Sequence, residues 1–500
     1  MIEGILIGLK TALSFKNLMM VMIGCFSGTI IGMLPGLGPM TAIALMIPIT
    51  YGFEPSTGLI LMAGVYYGAV FGGSTSSILI NAPGIPGTVA TSFDGYPMAQ
   101  QGKAGKALAI AAYSSFAGGT IAAIFLLIAA PSLSKVSLAF RSPDYFGLMI
   151  LGLTAVSAFS AKGHFLKAMM MVVLGLMLAS VGQDTLSDIP RFTFQNMNLS
   201  DGISFVLVVM ATFAMSEALT IIFKANDPTR VAKQISLSQL GSIKLDKDET
   251  KKMVTTIPRS SVLGFIIGVL PGAGSTIASF LAYGMERNFV KDDEKQKFGK
   301  GSVNGLAAPE TANNAACSGS FVPLLTLGIP GSGTTAVMLG ALLGFGIQPG
   351  PRLYQTNPEI FWSVIMSMYI GMVILLILNL PLIPYIARVL ATPRTFLIPL
   401  ILFFSVTGIY LMSFNNFDIY MMIGIAVVAT ILRLYDFPMP PLILAFVLGG
   451  LMEENLRRSL LISDGSWSFL WDRPLTVIIM MIILAIVSWQ IFKSFGHKNI

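Results

Sequence analysis

GMLPGLGPMTAIALMIP, residues 32–48, and GVLPGAGSTIASFLAYG, residues 268–284, decide how this chain is read. Each follows an apolar run and breaks it with the same Leu-Pro-Gly-x-Gly turn, and Pro271 lies 236 residues after Pro35. Proline removes a backbone donor and glycine permits left-handed backbone, so the helical course stops at both places. A second break follows each: GIPGTVAT at 84–91 and GIPGSGTT at 328–335, 244 residues apart. A third echo sets MSEAL (215–219) against MEENL (452–456), 237 residues apart. The small excess at the second break fits an insertion in the charged stretch 291–300. The chain is an internal duplication whose Gly-Pro interruptions fall at matching places, the pattern that marks a transport site in a membrane protein.

Composition agrees with a membrane setting. Hydrophobic residues make up 54% and charged residues 11%, with mean hydropathy +0.78, where a soluble domain carries about 25% charge. Stretches 118–131, 169–181, 361–380 and 476–491 are almost free of charge, and a span needs ~20 apolar residues. The net charge of +7 in 500 residues reflects cytoplasmic loops more simply than nucleic-acid binding. Cys25 and Cys317 both lie in apolar or Gly-rich sequence, so no disulfide framework is indicated. The N-terminus has Glu3 and no basic region before an apolar core, which argues against a cleaved signal peptide.

These features predict an all-α polytopic membrane protein with about 10–12 transmembrane helices in two homologous repeats containing re-entrant or broken helices. An inverted arrangement of the repeats is favoured over a parallel one. Repeat 1 covers residues 1–224, a polar cytoplasmic connector 225–258, and repeat 2 residues 259–500. The basic residues of the connector and of the loop at 286–300 place both on the cytoplasmic side. Only about 27 residues, 260–286, separate them, and two full spans need ~40. The expectation is a re-entrant helical hairpin with its tip at 270–274, and an equivalent one over 21–53 with its tip at 34–38, whose greater length leaves open a reading as two full spans.

Small polar residues cluster at the breaks. Candidate substrate ligands are Ser74, Thr75, Ser76, Asn81, Gly84, Gly87 and Thr88 in the first half, and Ser318, Ser320, Gly328, Gly331, Ser332 and Thr334 in the second. Aligned on GIPG, Ser74 matches Ser318 and Ser76 matches Ser320. Helix N-termini after such breaks suit a carboxylate. Carbonyls at helix C-termini suit a dehydrated cation, which makes Gly36, Gly38, Gly272, Gly274, Asn313 and Asn314 candidate cation ligands. The competing reading is that small residues only allow helices to pack closely. Glu310 shares a helix face with Asn313 and Asn314 and is a candidate ion or substrate surface. Glu217 and the Glu453/Glu454 pair read as interfacial, and Asp94 as part of a loop and helix start.

Neither break motif contains Asp, Glu or His, so a Na⁺ coupling ion is favoured over H⁺. No cofactor and no bound metal beyond a possible Na⁺ is expected. No phosphate-binding loop occurs, and His164 and His497 are placed too remotely to serve a serine nucleophile at PGAGS.

Three long strings carry a resemblance: residues 32–48, residues 66–108 from YYGAVFGG to GKAGKAL, and residues 305–353 from GLAAPETANN to QPGPRL. They are similar to the large membrane subunit of the tripartite tricarboxylate transporters, the TctA family, over nearly the whole chain. The resemblance implies a permease of the bacterial inner membrane that imports carboxylates such as citrate by Na⁺ or H⁺ symport. It also implies a small membrane subunit (TctB-like) and a periplasmic solute-binding protein (TctC-like) as partners. Two other readings stay open: an organic-anion channel, with a continuous polar pore, and an integral membrane enzyme, disfavoured because no nucleophile–base or metal constellation appears.

Overall fold

The computed structural model describes residues 2–34, 36–158, 165–184, 187–223, 241–386 and 394–496. Residues 225–240 of the connector, Pro35, His164 and His497 lie outside them. Helices account for nearly everything described. In chain order they are α1 (Ile2–Ala12), α2 (Phe15–Met33), α3 (Gly38–Thr50), α4 (Pro55–Ile80), α5 (Val89–Met98), α6 (Ala104–Ser137), α7 (Ser142–Ala158), α8 (Phe165–Ala179) and α9 (Phe205–Phe223). After the connector come α10 (Lys247–Val269), α11 (Gly274–Phe289), α12 (Val303–Leu327), α13 (Gly333–Gly344), α14 (Pro358–Asn379), α15 (Arg394–Ser413), α16 (Asn416–Leu434), α17 (Pro440–Ile462) and α18 (Pro474–Gly496). A two-residue antiparallel ladder, Gly182–Gln183 with Pro190–Arg191, is a minor addition.

Six helices among the described residues are long and apolar enough to cross a membrane, and five shorter apolar helices accompany them. Local sequence explains several helix starts. Ser14 caps α2, Ser302 caps α12, and Asp246 with Glu249 forms a capping box at the start of α10.

Both tips turn where expected, but the second hairpin is longer than the 260–286 read from the sequence, because α10 begins at Lys247, inside the expected connector. α2 ends at Met33 and α3 begins at Gly38, and α10 turns into α11 across 270–273. The turns use left-handed glycines at matching positions: Gly36 (φ +97°) and Gly38 (+62°), then Gly272 (+79°) and Gly274 (+60°). Each hairpin packs through its first helix on a central helix, α2 on α4 and α10 on α12. The contact is backbone to backbone. A methyl added at Gly28 would meet the Val65 carbonyl at 2.3 Å, and one at Gly268 the Ala316 carbonyl at 2.3 Å. Small residues at four-residue spacing make this approach possible.

The two central helices are enclosed. Residues 56–79 of α4 and 304–326 of α12 are all buried. Their serines, threonines and asparagines therefore face protein, the condition under which polar groups persist at membrane depth. α4 and α12 run antiparallel: Tyr67 bonds Ser318 at 2.6 Å, while Ser74 bonds Glu310 at 2.7 Å.

One end of the bundle gathers the basic loops. Lys106 pairs with Glu249, Lys252 with Glu294 and Arg259 with Glu286 there. The other end carries Arg457 on Asp184 and Arg473 on Asp144.

Candidate functional site

Both central helices end in the same local geometry. α4 stops at Asn81 (φ +51°), whose amide donates to the Ser76 carbonyl. α12 stops at Gly328 (φ +69°), whose amide donates to the Pro323 carbonyl. Thr88 donates its hydroxyl to the Ile85 carbonyl and Thr335 to that of Ser332, both at 3.0 Å. A methyl at Gly84 would meet the Gly32 carbonyl at 1.9 Å, and one at Gly331 the Gly268 carbonyl at 2.8 Å.

Asn81 and Gly328, Gly84 and Gly331, Ile85 and Ser332, and Thr88 and Thr335 are each 247 residues apart. The GIPG letters, 244 apart, are thus three residues out of structural register. The counterpart of Ser320 is Gly73, not Ser76, and Ser74 does not correspond to Ser318. From tip to break, the second half is longer by eleven residues, which the 291–302 loop accommodates. Gly87 and Gly331 have ordinary φ and are required by close approach, since a methyl on Gly87 would lie 2.8 Å from Ser275 Oγ. The left-handed turns belong to Asn81 and Gly328.

Tips and breaks meet. The Gly272 amide donates to the Gly331 carbonyl at 3.0 Å, so the second tip is bonded to the second break. Gly87 of the first break abuts Ser275 at the start of α11, and Gly333 after the second break abuts Met40 of α3. Each hairpin therefore touches the break of the other half as well.

The sequence-predicted ligands fall into three groups. A seam between α4 and α12 contains Tyr66 near Ser332 (3.4 Å), Tyr67 on Ser318, and Ser74 on Glu310. A second group is turned back on its own backbone. Ser76 donates to Gly73 O and Ser320 to Cys317 O. Asn313 and Asn314 form the third: Asn314 donates to Asn313 Oδ1 at 2.6 Å and to the Glu310 carbonyl, and Asn313 approaches the Gly87 carbonyl at 3.5 Å. Ser332 additionally closes a capping box with Thr335 at the head of α13, and Thr334 is buried in its first turn.

Two cavities flank this assembly. The first, about 570 Å³, is lined by Gly36, Gly38, Gly84, Pro86, Phe213, Glu217, Arg433 and Pro440. The first turns of α3 and α17 both border it, so two positive helix ends face one space. The second, about 860 Å³, lies against Gly328 and Pro349 and includes Arg141, Arg352 and Arg458, with Glu454 as the acidic residue of its lining. Pro440 opens α17 at the first cavity, and Glu454 and Arg458 border the second near its other end. Fourteen helical residues rise ~21 Å, so the cavities serve opposite ends of the bundle.

Two acidic residues, Glu217 and Asp94, differ from the sequence reading. Glu217 is buried and ion-paired with Arg433 inside the first cavity, not interfacial. Asp94 is fully buried, accepting the amides of Gly299, Gly301 and Ser302 and the Tyr283 hydroxyl at 2.7–3.0 Å. It pins the charged loop to α5, so the loop reading fails. Glu310 is fully buried and accepts hydroxyls from Ser74, Thr91 and Ser115. Arg433, Arg141 and Arg352 were missed altogether. Arg433 alone had a signal, as a lone cation closing an apolar run.

The comparisons with known proteins converge. The tripartite tricarboxylate transporter TctA family matches residues 18–444. A protein of Agrobacterium vitis, described as an uncharacterized 52.8 kDa protein in the TAR-I ttuC' 3' region, is 41% identical over 499 residues, covering 100% of this chain and 98% of its own length. A second from the same organism, described as an uncharacterized protein in the TAR-II ttuC' 3' region, is 40% identical over 236 residues, 47% of this chain and 97% of its own length. With broken helices, enclosed polar breaks and a match this long, the chain is a multi-pass membrane protein that belongs to the TctA family of tripartite tricarboxylate transporters.

Proposed function

We propose that this chain is the permease of a secondary active transporter that imports tricarboxylates or related organic carboxylates by cation symport, with Na⁺ as the coupling ion. In this reading a periplasmic binding protein (TctC-like) delivers the solute, a small membrane subunit (TctB-like) accompanies the permease, and the membrane is the bacterial inner membrane. The carrying observation is the pair of antiparallel central helices, broken at opposite ends, with a cavity at each end. That arrangement supports two inverted repeats and alternating access from the two faces. In this reading the basic loops lie on the cytoplasmic face, and the second cavity, with Arg141, Arg352 and Arg458, opens outside, where an anion arrives.

The carboxylate is proposed to pass between Gly84, Gly87 and Thr88 on one side and Gly328, Gly331 and Ser332 on the other, where the first turn of α13 presents its amides. Counterflow in proteoliposomes tests the reading. Preloaded unlabelled citrate or a related carboxylate should drive transient uptake of the labelled species above equilibrium. A channel gives flux without counterflow, and an enzyme gives a changed product.

A further inference from the structure

Glu310 is a carboxylate in the middle of the protein with no cation beside it. Its partners come from three other helices: Ser74 Oγ of α4 at 2.7 Å, Ser115 Oγ of α6 at 2.8 Å, both to Oε2, and the Thr91 hydroxyl of α5 to Oε1. No lysine, arginine or histidine among the described residues forms an ion pair with it. A buried charge without a counter-charge is costly, and hydroxyls alone do not neutralise it.

The oxygen count around it exceeds the supply of protons. Ser74 Oγ lies within hydrogen-bond distance of both Glu310 Oε2 and the Val70 carbonyl, the latter at 3.2 Å, and a hydroxyl has one proton to give. Directly beside Ser74 and Ser115 is a small cavity of about 10 Å³, lined also by Thr75 and Asn379 and, on its apolar side, by Phe71, Leu108, Ala111 and Ala112. That is on the order of a single water-sized sphere. Asn379 on α14 is 4% exposed, its amide nitrogen donates to the Leu375 carbonyl at 3.0 Å, and its Oδ1 has no partner. Three helices, α4, α6 and α14, thus line a small void with neutral oxygens, and the Glu310 carboxylate of α12 stands directly behind Ser74 and Ser115. Hard oxygen ligands of low total charge suit a small monovalent cation, where a divalent ion would draw more carboxylates.

We propose that Glu310, Ser74, Ser115 and Asn379 form a Na⁺ site, with Na⁺ occupying the void beside Ser74 and Ser115 and Glu310 supplying the negative charge. The proposal rests on the symport reading and relocates its ion. The sequence pointed to the tip glycines, to Asn313 and Asn314 and, as an ion or substrate surface, to Glu310; here the ion sits on the face of α4 that turns toward α6 and α14, with Glu310 behind it. Ser74 and Glu310 also tie α4 to α12, so occupancy would fix the relation between the two broken helices.

The test is binding of radiolabelled Na⁺ to the purified full-length chain in detergent, at fixed pH and ionic strength, with no carboxylate present. The wild type should bind saturably, with displacement by unlabelled Na⁺ and none by K⁺ or choline. Glu310→Gln should abolish binding, and the milder Ser115→Ala and Asn379→Ala should each weaken it by roughly tenfold, the scale seen for changes around metal sites. The milder pair keeps the test decisive if Glu310→Gln fails to fold. Wild-type affinity in both alanine variants would overturn the site. If Na⁺ gradients still drive uptake in that case, symport stands and the ion binds elsewhere. Absence of saturable Na⁺ binding to the wild type, with uptake driven by a pH gradient instead, would overturn the site and make the coupling ion a proton while leaving carboxylate import intact.

Discussion

The amide of Gly272 donates to the carbonyl of Gly331 at 3.0 Å. The tip of one hairpin is thereby fastened to the break of the helix it leans on, and neither can move without the other. Gly331 has no room for a side chain, because a methyl there would sit 2.8 Å from both the Gly268 carbonyl and Ser320 Cα. Gly331→Val should separate tip from break, abolish uptake and lower stability by about 1–3 kcal/mol, the usual cost of overpacking. Gly84→Val should do the same in the first half. Gly424→Ala and Gly450→Ala, which face open space, should transport normally. Thermal unfolding in detergent, together with uptake, checks the set.

The ion pair of Glu217 and Arg433 is the charge inside the first cavity. Glu217→Gln leaves the guanidinium without its carboxylate and should destabilise the chain by about 3–5 kcal/mol. Removing both charges should recover part of that loss. A double-mutant cycle on unfolding measures the coupling, and simple additivity would show that the pair is not an energetic unit.

Asp94 organises the charged loop through three backbone amides and Tyr283. Asp94→Ala strands those donors and should cost about 1–3 kcal/mol, read as rapid proteolysis within residues 291–302. Asp94→Asn, which keeps an acceptor, should be the milder change. Equal protease resistance in all three proteins would mean that the loop is held by other contacts.

Arg141 and Arg352 are exposed at the mouth of the second cavity. Charges in such a place act on encounter more than on residence. Replacing both with Gln should raise the apparent KM for carboxylate several-fold at low salt, leave kcat nearly unchanged, and lose most of its effect at high salt, where screening is stronger. A KM effect that is independent of salt would place these side chains in direct contact with bound solute.

Much of this architecture was legible in the letters, and the reasons are specific. The tips were readable because Gly36 and Gly272, and Gly38 and Gly274, need left-handed backbone that few residues adopt. The breaks were readable as events but not in register. The repeated word GIPG is displaced by three residues from the structural register, while the matching geometry runs through Asn81 and Gly328, which share no letter. Asn and Gly both tolerate that conformation, so the equivalence leaves no literal trace. Burial of Asp94 and Glu217 was not legible either. Each sits in sequence that looks like a loop or an interface, and its partners lie about two hundred residues away. The wall of hydroxyls around Glu310 comes from three helices, and no local pattern announces it.

The central claim is that this chain couples carboxylate import to an ion gradient. The most direct measurement is uptake of labelled citrate and related carboxylates into proteoliposomes holding the chain with the proposed small subunit, with the proposed binding protein outside, with and without an inward Na⁺ gradient. The account predicts accumulation above the external concentration that requires the gradient and collapses when it is dissipated. Equilibration to the external concentration and no further, with or without the gradient, would contradict it and identify a channel.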